Sequence, residues 1–168
     1  MGDRPFLGIN HLNVVTADLD ATVRIWQDRY GIGPWELYTY SEDMIDAKVD
    51  GEPVKFGMRA GFCHLDPGTR VEIIQPLDDR GPYAASLRRH DGANHIHHLR
   101  LDVPDYAEAR DRLHGLGLNR VLDGEFDGLE GTSSRAIYFD TAADLGFLVE
   151  VADLPEDYVR IEPDGTYP

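Results

Sequence analysis

The sequence contains a weak internal repeat, and this repeat limits the folds that are open to the chain. Residues 9–14 can be laid on residues 96–101 at an offset of 87 residues, so that Ile, His and Leu coincide. At the same offset Asp18 meets Asp105, and each aspartate precedes a helical pattern that ends at a glycine. We therefore expect each half of the chain to begin with a strand, a short turn and a helix.

Three strand-like segments follow the helix in each half. They are expected at residues 35–40, 54–65 and 70–77 in the first half and at 118–124, 135–140 and 146–152 in the second. The second and third strands of the first half are expected to form a hairpin around Asp66-Pro67-Gly68, and the polar stretch 41–53 is expected to be an excursion.

The predicted fold class is therefore α+β, with a pattern of strand, helix and three strands that occurs twice. The 168 residues suffice for one compact domain or two small repeated modules. The predicted organisation is a single domain at 1–152, with modules at 7–77 and 95–152, a linker helix at 82–90 and an acidic tail at 153–168 that wraps the surface or stays loose.

The charge of the chain argues against two classes of partner. The formal net charge is -15 at pH 7, and this excess of acid repels nucleic-acid phosphates and anionic lipids. Cys63 is the only cysteine, which excludes an intrachain disulfide and a multi-cysteine zinc site. The first residues lack the pattern of a signal peptide, and no window resembles a membrane span. We expect a cytoplasmic protein that binds neither nucleic acid nor membranes.

Two histidines and two glutamates occupy matching places in the two halves. Because side chains alternate between the faces of a strand, His98 lies opposite Leu99, and His11 lies opposite Leu12. Glu72 and Glu150 each interrupt an otherwise apolar strand. Neutral imidazoles and carboxylates that converge from rigid strands are typical ligands of a divalent metal ion. The repeat thus predicts one metal site that both halves build.

The motifs INHLNVV, TRVEIIQPL, NHIHHLRLDV and AIYFDTAADLGFLVEV resemble the vicinal oxygen chelate superfamily, which includes glyoxalase I, methylmalonyl-CoA epimerase, extradiol dioxygenases and bleomycin-resistance proteins. Within the superfamily, GIGPWELY and YFDTAADLGFLVEV are most similar to the epimerase and glyoxalase-like branch. The resemblance covers roughly residues 7–152. It implies paired βαβββ modules that form an open, barrel-like mixed sheet around the metal, and a homodimer.

The resemblance also implies metal ligation by four individual residues, namely His11, Glu72, His98 and Glu150. The ion would be Ni, Co, Mn, Zn or Fe. The repeat selects His98 as the ligand, because it aligns with His11, and places His97 among core-facing positions or at the module boundary. The strand that carries a carboxylate base in the epimerases corresponds here to residues 54–65, which contain neither Asp nor Glu.

The predicted activity is that of a metal-dependent isomerase, epimerase or lyase. Such an enzyme abstracts a proton next to a metal-polarised carbonyl of a small substrate, for example a thioester. Glu150 or Glu72 is the expected base, because a carboxylate on the metal can detach and take the proton. His64 and Tyr138 are alternative proton carriers. Two other functions stay open: an Fe(II) ring-cleaving dioxygenase, and a non-catalytic protein that binds or sequesters small molecules.

Aromatic and basic side chains on the predicted strands are candidates for substrate binding. Aromatic residues can line an apolar pocket, and arginine can hold a substrate carboxylate or phosphate through paired hydrogen bonds. Arg100 shares the face of His98 in its strand. The candidates are Trp35, Tyr38, Arg59, Arg100, Arg135 and Tyr138.

Overall fold

The computed structural model describes residues 5–66 and 68–168. Its helices are α1 (Leu19–Tyr30), α2 (Gly81–Arg89), α3 (Tyr106–Gly115) and α4 (Ala142–Leu145), with a 3₁₀ turn at Glu42–Met44. Its strands are β1 (Gly8–Val15), β2 (Trp35–Tyr40), β3 (Ile45–Val49), β4 (Glu52–Val54), β5 (Met58–Asp66), β6 (Thr69–Pro76), β7 (His95–Asp102), β8 (Arg120–Asp127), β9 (Ser133–Phe139), β10 (Leu148–Asp153) and β11 (Gly165–Tyr167).

All eleven strands belong to one open mixed sheet, whose order is β11-β2-β5-β6-β1-β7-β10-β9-β8-β3-β4. Strands β1 and β7 pair antiparallel at the centre, and each pairs on its other side with a parallel strand, β6 and β10 respectively. The predicted α+β class with an open mixed sheet is confirmed. The sequence β2-β5-β6-β1 on one side of the centre mirrors β8-β9-β10-β7 on the other.

Helices α1 and α3 cover one face of the sheet, which we call the outer face. Asp18 and Asp105, the aspartates that the repeat pairs, both cap their helices by accepting a hydrogen bond from a backbone N–H. Helix α1 ends at Gly31, which adopts a left-handed conformation with φ of 69°. Leu19 and Val23 of α1 are buried against Trp35 and the outer residues of neighbouring strands. The local signals of the sequence thus produced the predicted helices.

The opposite face, here called the inner face, carries the larger hydrophobic cluster. Side chains alternate along each strand, so Tyr138 lies on the inner face while Ile137 and Phe139 lie beneath α3. Helix α2 packs on the inner face through Tyr83, which contacts Phe56 edge to face. Both faces of the central strands are therefore buried, and polar residues on their inner side must find partners there.

Two segments without a strong sequence period became strands. The polar stretch 41–53 was expected to be an excursion, but it contributes β3, which pairs with β8 of the second half. The tail beyond residue 153 carries β11, which pairs with β2 and forms one edge of the sheet. Both strands were missed because a short strand near the edge of a sheet depends on its partner strands more than on its own pattern.

Strands β5 and β6 pair antiparallel, as the predicted hairpin requires. Pro67, at the centre of its expected turn, lies outside the described residues. Among the residues that the structure does describe, no helix has the length and apolar character needed to cross a membrane.

Candidate metal centre

His11 and His98 meet at the junction of the two halves. Strand β1 carries His11 and strand β7 carries His98, and the antiparallel pairing of these strands turns both imidazoles to the inner face. The two Nε2 atoms lie 3.2 Å apart. The exposed fraction of His11 is 3% and that of His98 is 0%. Two buried ring nitrogens that face each other so closely need a shared proton or a shared cation.

A glutamate approaches this pair of histidines from each side. Glu72 on β6 places Oε2 3.3 Å from Nε2 of His11 and 3.5 Å from Nε2 of His98. Glu150 on β10 places Oε2 3.1 Å and 3.0 Å from the same two atoms. Each glutamate comes from the strand that runs parallel to the histidine strand of its own half. The structure therefore brings all four predicted ligand residues together.

The spacing of these atoms fits a metal ion. Ligand atoms that each lie about 2.0–2.2 Å from one ion are separated from one another by about 2.8–3.6 Å. The contacts from imidazole to imidazole and from imidazole to carboxylate span 3.0 to 3.5 Å. His11, His98 and Glu150 form a buried group whose ligand atoms lie within 4.8 Å of one another. This buried group can hold a divalent metal ion.

The electrostatics of the cluster favour ionised carboxylates. Burial by itself would raise the pKa values of Glu72 and Glu150, but His11 and His98 outweigh it and hold both pKa values below the usual range. Burial also disfavours a charged His98, yet the two glutamates raise its pKa to about 9. The two ionised carboxylates thus give the site negative charge, which attracts a cation, either a proton or a metal ion.

Two neighbours of the cluster were not among the predicted site residues. Asn13 is fully buried and donates a hydrogen bond of 2.9 Å from Nδ2 to Oε2 of Glu72. His97 places Nδ1 2.9 Å from Nδ1 of His98. A β-bulge, where His97 has no partner opposite it in β1, allows both adjacent histidines to reach the inner side. Asn13 shares a face with His11 in the alternation of β1, which was the available signal, whereas nothing in the sequence marks the bulge.

His97 packs beside two tyrosines that close the interior around the cluster. Its ring lies 5.3 Å from that of Tyr83 and 5.9 Å from that of Tyr138. The hydroxyl groups of the two tyrosines lie 2.7 Å apart. Burial raises the pKa of each tyrosine well above its usual value, so both hydroxyls stay protonated at neutral pH.

A cavity opens over the cluster on the inner face. Its walls include His11, Glu72 and Glu150 and aromatic side chains such as Tyr40 and Phe62. Its volume is about 80 Å³, room for several water molecules. Four arginines also line it, which is unusual in so acidic a chain: Arg70, Arg100, Arg135 and Arg160.

The structure places the predicted substrate-binding residues in three environments: the cavity wall, the inner hydrophobic cluster and, for two of these residues, the outer face. Arg100, Arg135 and Tyr138 line the cavity. Tyr38 lies on the same face in the inner cluster, where it bonds Glu36 instead of lining the cavity. Of the alternative proton carriers, Tyr138 lines the cavity, whereas His64 is exposed and does not.

The structure does not support substrate binding by Trp35 and Arg59, because both side chains lie on the outer face, away from the cavity. Trp35 is 0% exposed beneath α1, and its indole N–H donates to the carbonyl oxygen of Ile32. Arg59 donates two hydrogen bonds, of 2.8 and 2.9 Å, to Asp20 of α1. Alternation explains both errors: Trp35 and Arg59 have the opposite parity to the cavity-facing residues of β2 and β5.

The fold and the cluster agree with a known family. Residues 10–139 match the family model described as the glyoxalase/bleomycin resistance protein/dioxygenase superfamily. The chain belongs to this superfamily. The predicted resemblance is therefore confirmed at the level of the family.

Similar proteins include several epimerases. The chain is 30% identical over 117 residues to the ethylmalonyl-CoA/methylmalonyl-CoA epimerase of Cereibacter sphaeroides, a match that covers 70% of this chain and 76% of the relative. The crystal structure of methylmalonyl-CoA epimerase from Mycobacterium tuberculosis superposes with a TM-score of 0.67 at 20% identity, covering 93% of this chain and 94% of that one. A methylmalonyl-CoA epimerase in complex with methylmalonyl-CoA and NH4+ has a TM-score of 0.63 at 20% identity, covering 92% and 99%.

Proposed function

We propose that this protein is a metal-dependent epimerase or isomerase that moves a proton at the carbon next to the carbonyl of a 2-carboxyacyl thioester. The observation that carries the proposal is the convergence of His11, Glu72, His98 and Glu150 below an arginine-lined cavity. The epimerase relatives support an enzyme of this superfamily type, and their names favour an epimerase over a lyase.

The four residues would hold the ion through the Nε2 atoms of the histidines and the Oε2 atoms of the glutamates. A bound divalent ion supplies a Lewis acid that polarises the substrate carbonyl and lowers the pKa of the adjacent C–H. The nearly complete burial of the cluster keeps bulk water away from the reacting carbon. His97 accepts or donates at Nδ1 of His98 and so orients the ring for ligation through Nε2.

Glu150 is the proposed base, and Glu72 is the proposed permanent ligand. Oε2 of Glu72 accepts a hydrogen bond from Asn13, which ties this carboxylate in place. Oε2 of Glu150 contacts only the two histidines among the described residues, so it can move towards the substrate without breaking another bond. Because its pKa is depressed in the resting cluster, Glu150 starts as a carboxylate that can accept a proton.

The charge of the cavity supports the proposed substrate class. A volume of about 80 Å³ accommodates a small acyl head group. The arginines supply positive charge that balances an anionic group on that acyl head. The relatives are named for ethylmalonyl-CoA and methylmalonyl-CoA, whose acyl groups carry such a carboxylate beside the reacting carbon.

The experiment that tests this function is proton exchange with solvent. The purified protein is stripped of metal, reloaded with Ni, Co, Mn, Zn or Fe(II), and incubated in D₂O with methylmalonyl-CoA or ethylmalonyl-CoA. Mass spectrometry should detect deuterium at the carbon next to the carbonyl with at least one metal and none without metal. Loss of the starting stereochemistry identifies an epimerase. An absence of exchange with every metal and both thioesters would refute the proposal.

An Fe(II) ring-cleaving oxygenase is a second candidate, because two histidines and one carboxylate are the ligand set of that class. Glu72 argues against it, since a second carboxylate within 3.5 Å of the histidines fills space that oxygen or a catechol would need. Oxygen uptake with catechols and ferrous iron, measured with an oxygen electrode, would favour this candidate over the epimerase.

A further inference from the structure

The chain continues beyond the family match, and this extension reaches the cavity. The match ends at residue 139, and the segment after β10 is not part of it. We call residues 154–168 the C-terminal tail. Leu154, Tyr158 and Arg160 of this tail line the same cavity as the metal-binding cluster. The tail therefore contributes to the same site as strands β1, β6 and β10.

Contacts on both sides of the cavity hold the tail in place. On the side of the second half, Leu129 donates a backbone hydrogen bond of 2.7 Å to Val159, and Val159 donates one of 3.0 Å to Oγ1 of Thr132. The chain passes so close there that a Cβ at Gly128 would clash with the carbonyl oxygen of Val159.

On the side of the first half, β11 pairs with β2, and the N–H of Asp164 donates to the carbonyl oxygen of Leu37 at 2.7 Å. Arg160 lies between these two sets of anchors. Its position is thus set by backbone contacts on either side, which is how a binding residue is held in register.

Arg160 and Arg70 of β6 contact the same aromatic ring at the cavity. Their guanidinium carbon atoms lie 5.1 Å and 5.6 Å from the centroid of Phe62. Among the described residues neither arginine makes an ion pair with a carboxylate. Arg70 bonds instead to the amide oxygen of Asn10. Guanidinium groups that line one cavity without a counter-ion favour the binding of an anion there.

A third arginine and the surroundings restrict which anion fits. Nε of Arg100 is buried without a hydrogen-bond partner and belongs to the same cavity wall. Arg70, Arg100 and Arg160 line the cavity together with Glu72 and Glu150, so these guanidinium groups lie near the metal-binding carboxylates. A group bound by these arginines lies near the reacting centre.

We propose that Arg160 of the C-terminal tail and Arg70 form a subsite that binds the carboxylate of the acyl group and selects 2-carboxyacyl thioesters over uncharged acyl thioesters. This inference rests on the proposed function for its substrate class. Arg160 is then a specificity-determining residue that the C-terminal tail supplies.

Binding selectivity tests this subsite without any need for turnover. Isothermal titration calorimetry measures the Kd of malonyl-N-acetylcysteamine and of propionyl-N-acetylcysteamine. In the first a carboxylate replaces the terminal methyl group of the second, and neither carries a phosphate. The wild type should prefer the malonyl thioester. Arg160→Gln should reduce this preference about tenfold or more, and Arg160→Lys should reduce it less. Any contact of the probe with the metal occurs in both the wild type and the variant. It therefore cancels when the malonyl preference of the variant is divided by that of the wild type.

Two further variants make the test specific. Arg24→Gln removes the same charge from an exposed position on α1 and should leave the preference unchanged. Arg70→Gln should reduce it as Arg160→Gln does, and a thermal melt of each variant verifies folding. An unchanged preference in folded Arg160→Gln overturns the proposal.

A loss of affinity confined to CoA thioesters, and equal for malonyl-CoA and propionyl-CoA, also overturns the proposal, because Arg160 would then bind a phosphate. Selectivity that falls in Arg160→Gln while the wild type shows no deuterium exchange refutes the proposed epimerase and leaves the subsite standing. The two failures are therefore distinguishable.

Discussion

The two halves of the metal centre differ at a position beside the glutamate: Asn13 in the first half corresponds to Arg100 in the second. Their strand pairing is equivalent, since Asn13 lies opposite Glu72 and Arg100 lies opposite Glu150 in parallel pairs. The short amide of Asn13 bonds to the adjacent glutamate. The longer side chain of Arg100 extends to the cavity wall.

This difference shows how a duplicated scaffold can acquire two roles. The pairing of two strands fixes the position of each glutamate. The residue opposite the glutamate determines whether its carboxylate accepts a further hydrogen bond. The Glu72 carboxylate accepts a hydrogen bond from Asn13, whereas Oε2 of Glu150 makes polar contacts only with the two histidines among the described residues. A symmetric pair of ligands thereby becomes a fixed ligand on one side and a proposed base on the other.

The largest expected effect is on proton transfer. Glu150→Gln should lower the rate of deuterium exchange about 10³-fold, because an amide cannot accept the proton, whereas a positioned general base contributes roughly 10²–10⁴-fold. Glu72→Gln should lower the rate much less, because an amide oxygen can still ligate the ion. Mass spectrometry of the thioester gives both rates, and elemental analysis gives the metal content of both variants.

The proposed difference between Glu72 and Glu150 is contradicted if the two variants lose activity to the same extent. Equal losses at matched metal content would show that the hydrogen bond from Asn13 does not separate the two carboxylates. A larger loss in Glu72→Gln would assign the base to the first half. Asp111→Asn, an exposed acid-to-amide change on α3, is the matched control and should leave the rate unchanged.

Removal of the metal should have the next largest effect, on thermal stability. An ion present at about 1,000 times its Kd stabilises the folded state by about 4 kcal/mol. For a chain of this size such a loss lowers Tm by roughly 10 °C. Differential scanning calorimetry before and after chelation measures the shift. Glu72→Gln, which replaces a charged ligand, should show a smaller shift than the wild type, and an unchanged Tm on chelation would contradict a bound ion.

Asn13 and Arg100 should differ in their contribution to the free energy of unfolding. Asn13→Ala leaves the buried carboxylate of Glu72 without its amide partner, which should cost about 1–3 kcal/mol. Arg100→Ala removes a side chain whose Nε is already unpaired, so it should cost less. Urea unfolding of both variants in metal-free buffer measures the difference. A greater cost for Arg100→Ala would mean that this arginine is structural and not part of the binding wall.

The smallest expected effect lies outside both halves of the site. The ion pair of Asp20 with Arg59 on the outer face is largely exposed, and Asp20→Asn should cost only about 0.2–1 kcal/mol. The bond to Arg59 holds the pKa of Asp20 below its usual value. The contribution is therefore fully present above the unfolded pKa of about 3.9 and is lost as the pH falls through the lower folded pKa. Urea unfolding at pH 7 and pH 3 measures this loss, and a difference that grows at acid pH would contradict the assignment.

Alternation along strands accounts for much of what the sequence predicted about the site. His11 and His98 could be placed on one face because each is followed by two apolar residues of opposite parity. The same rule separates Trp35 from Tyr38 and Tyr40, and treating these aromatics as one group produced the error at Trp35. The prediction of substrate binding by Arg59 has the same error, since the parity of Arg59 in β5 is that of the outer face.

The sequence by itself determined the repeated modules, their capped helices and the four residues of the candidate metal centre, because alternation and capping depend on neighbours along the chain. The tertiary structure alone decided that β1 and β7 pair, that His97 sits in a bulge, and that Arg160 enters the cavity. These features arise from contacts between segments far apart in sequence. Their free energy comes from packing and partner strands, which no local pattern encodes.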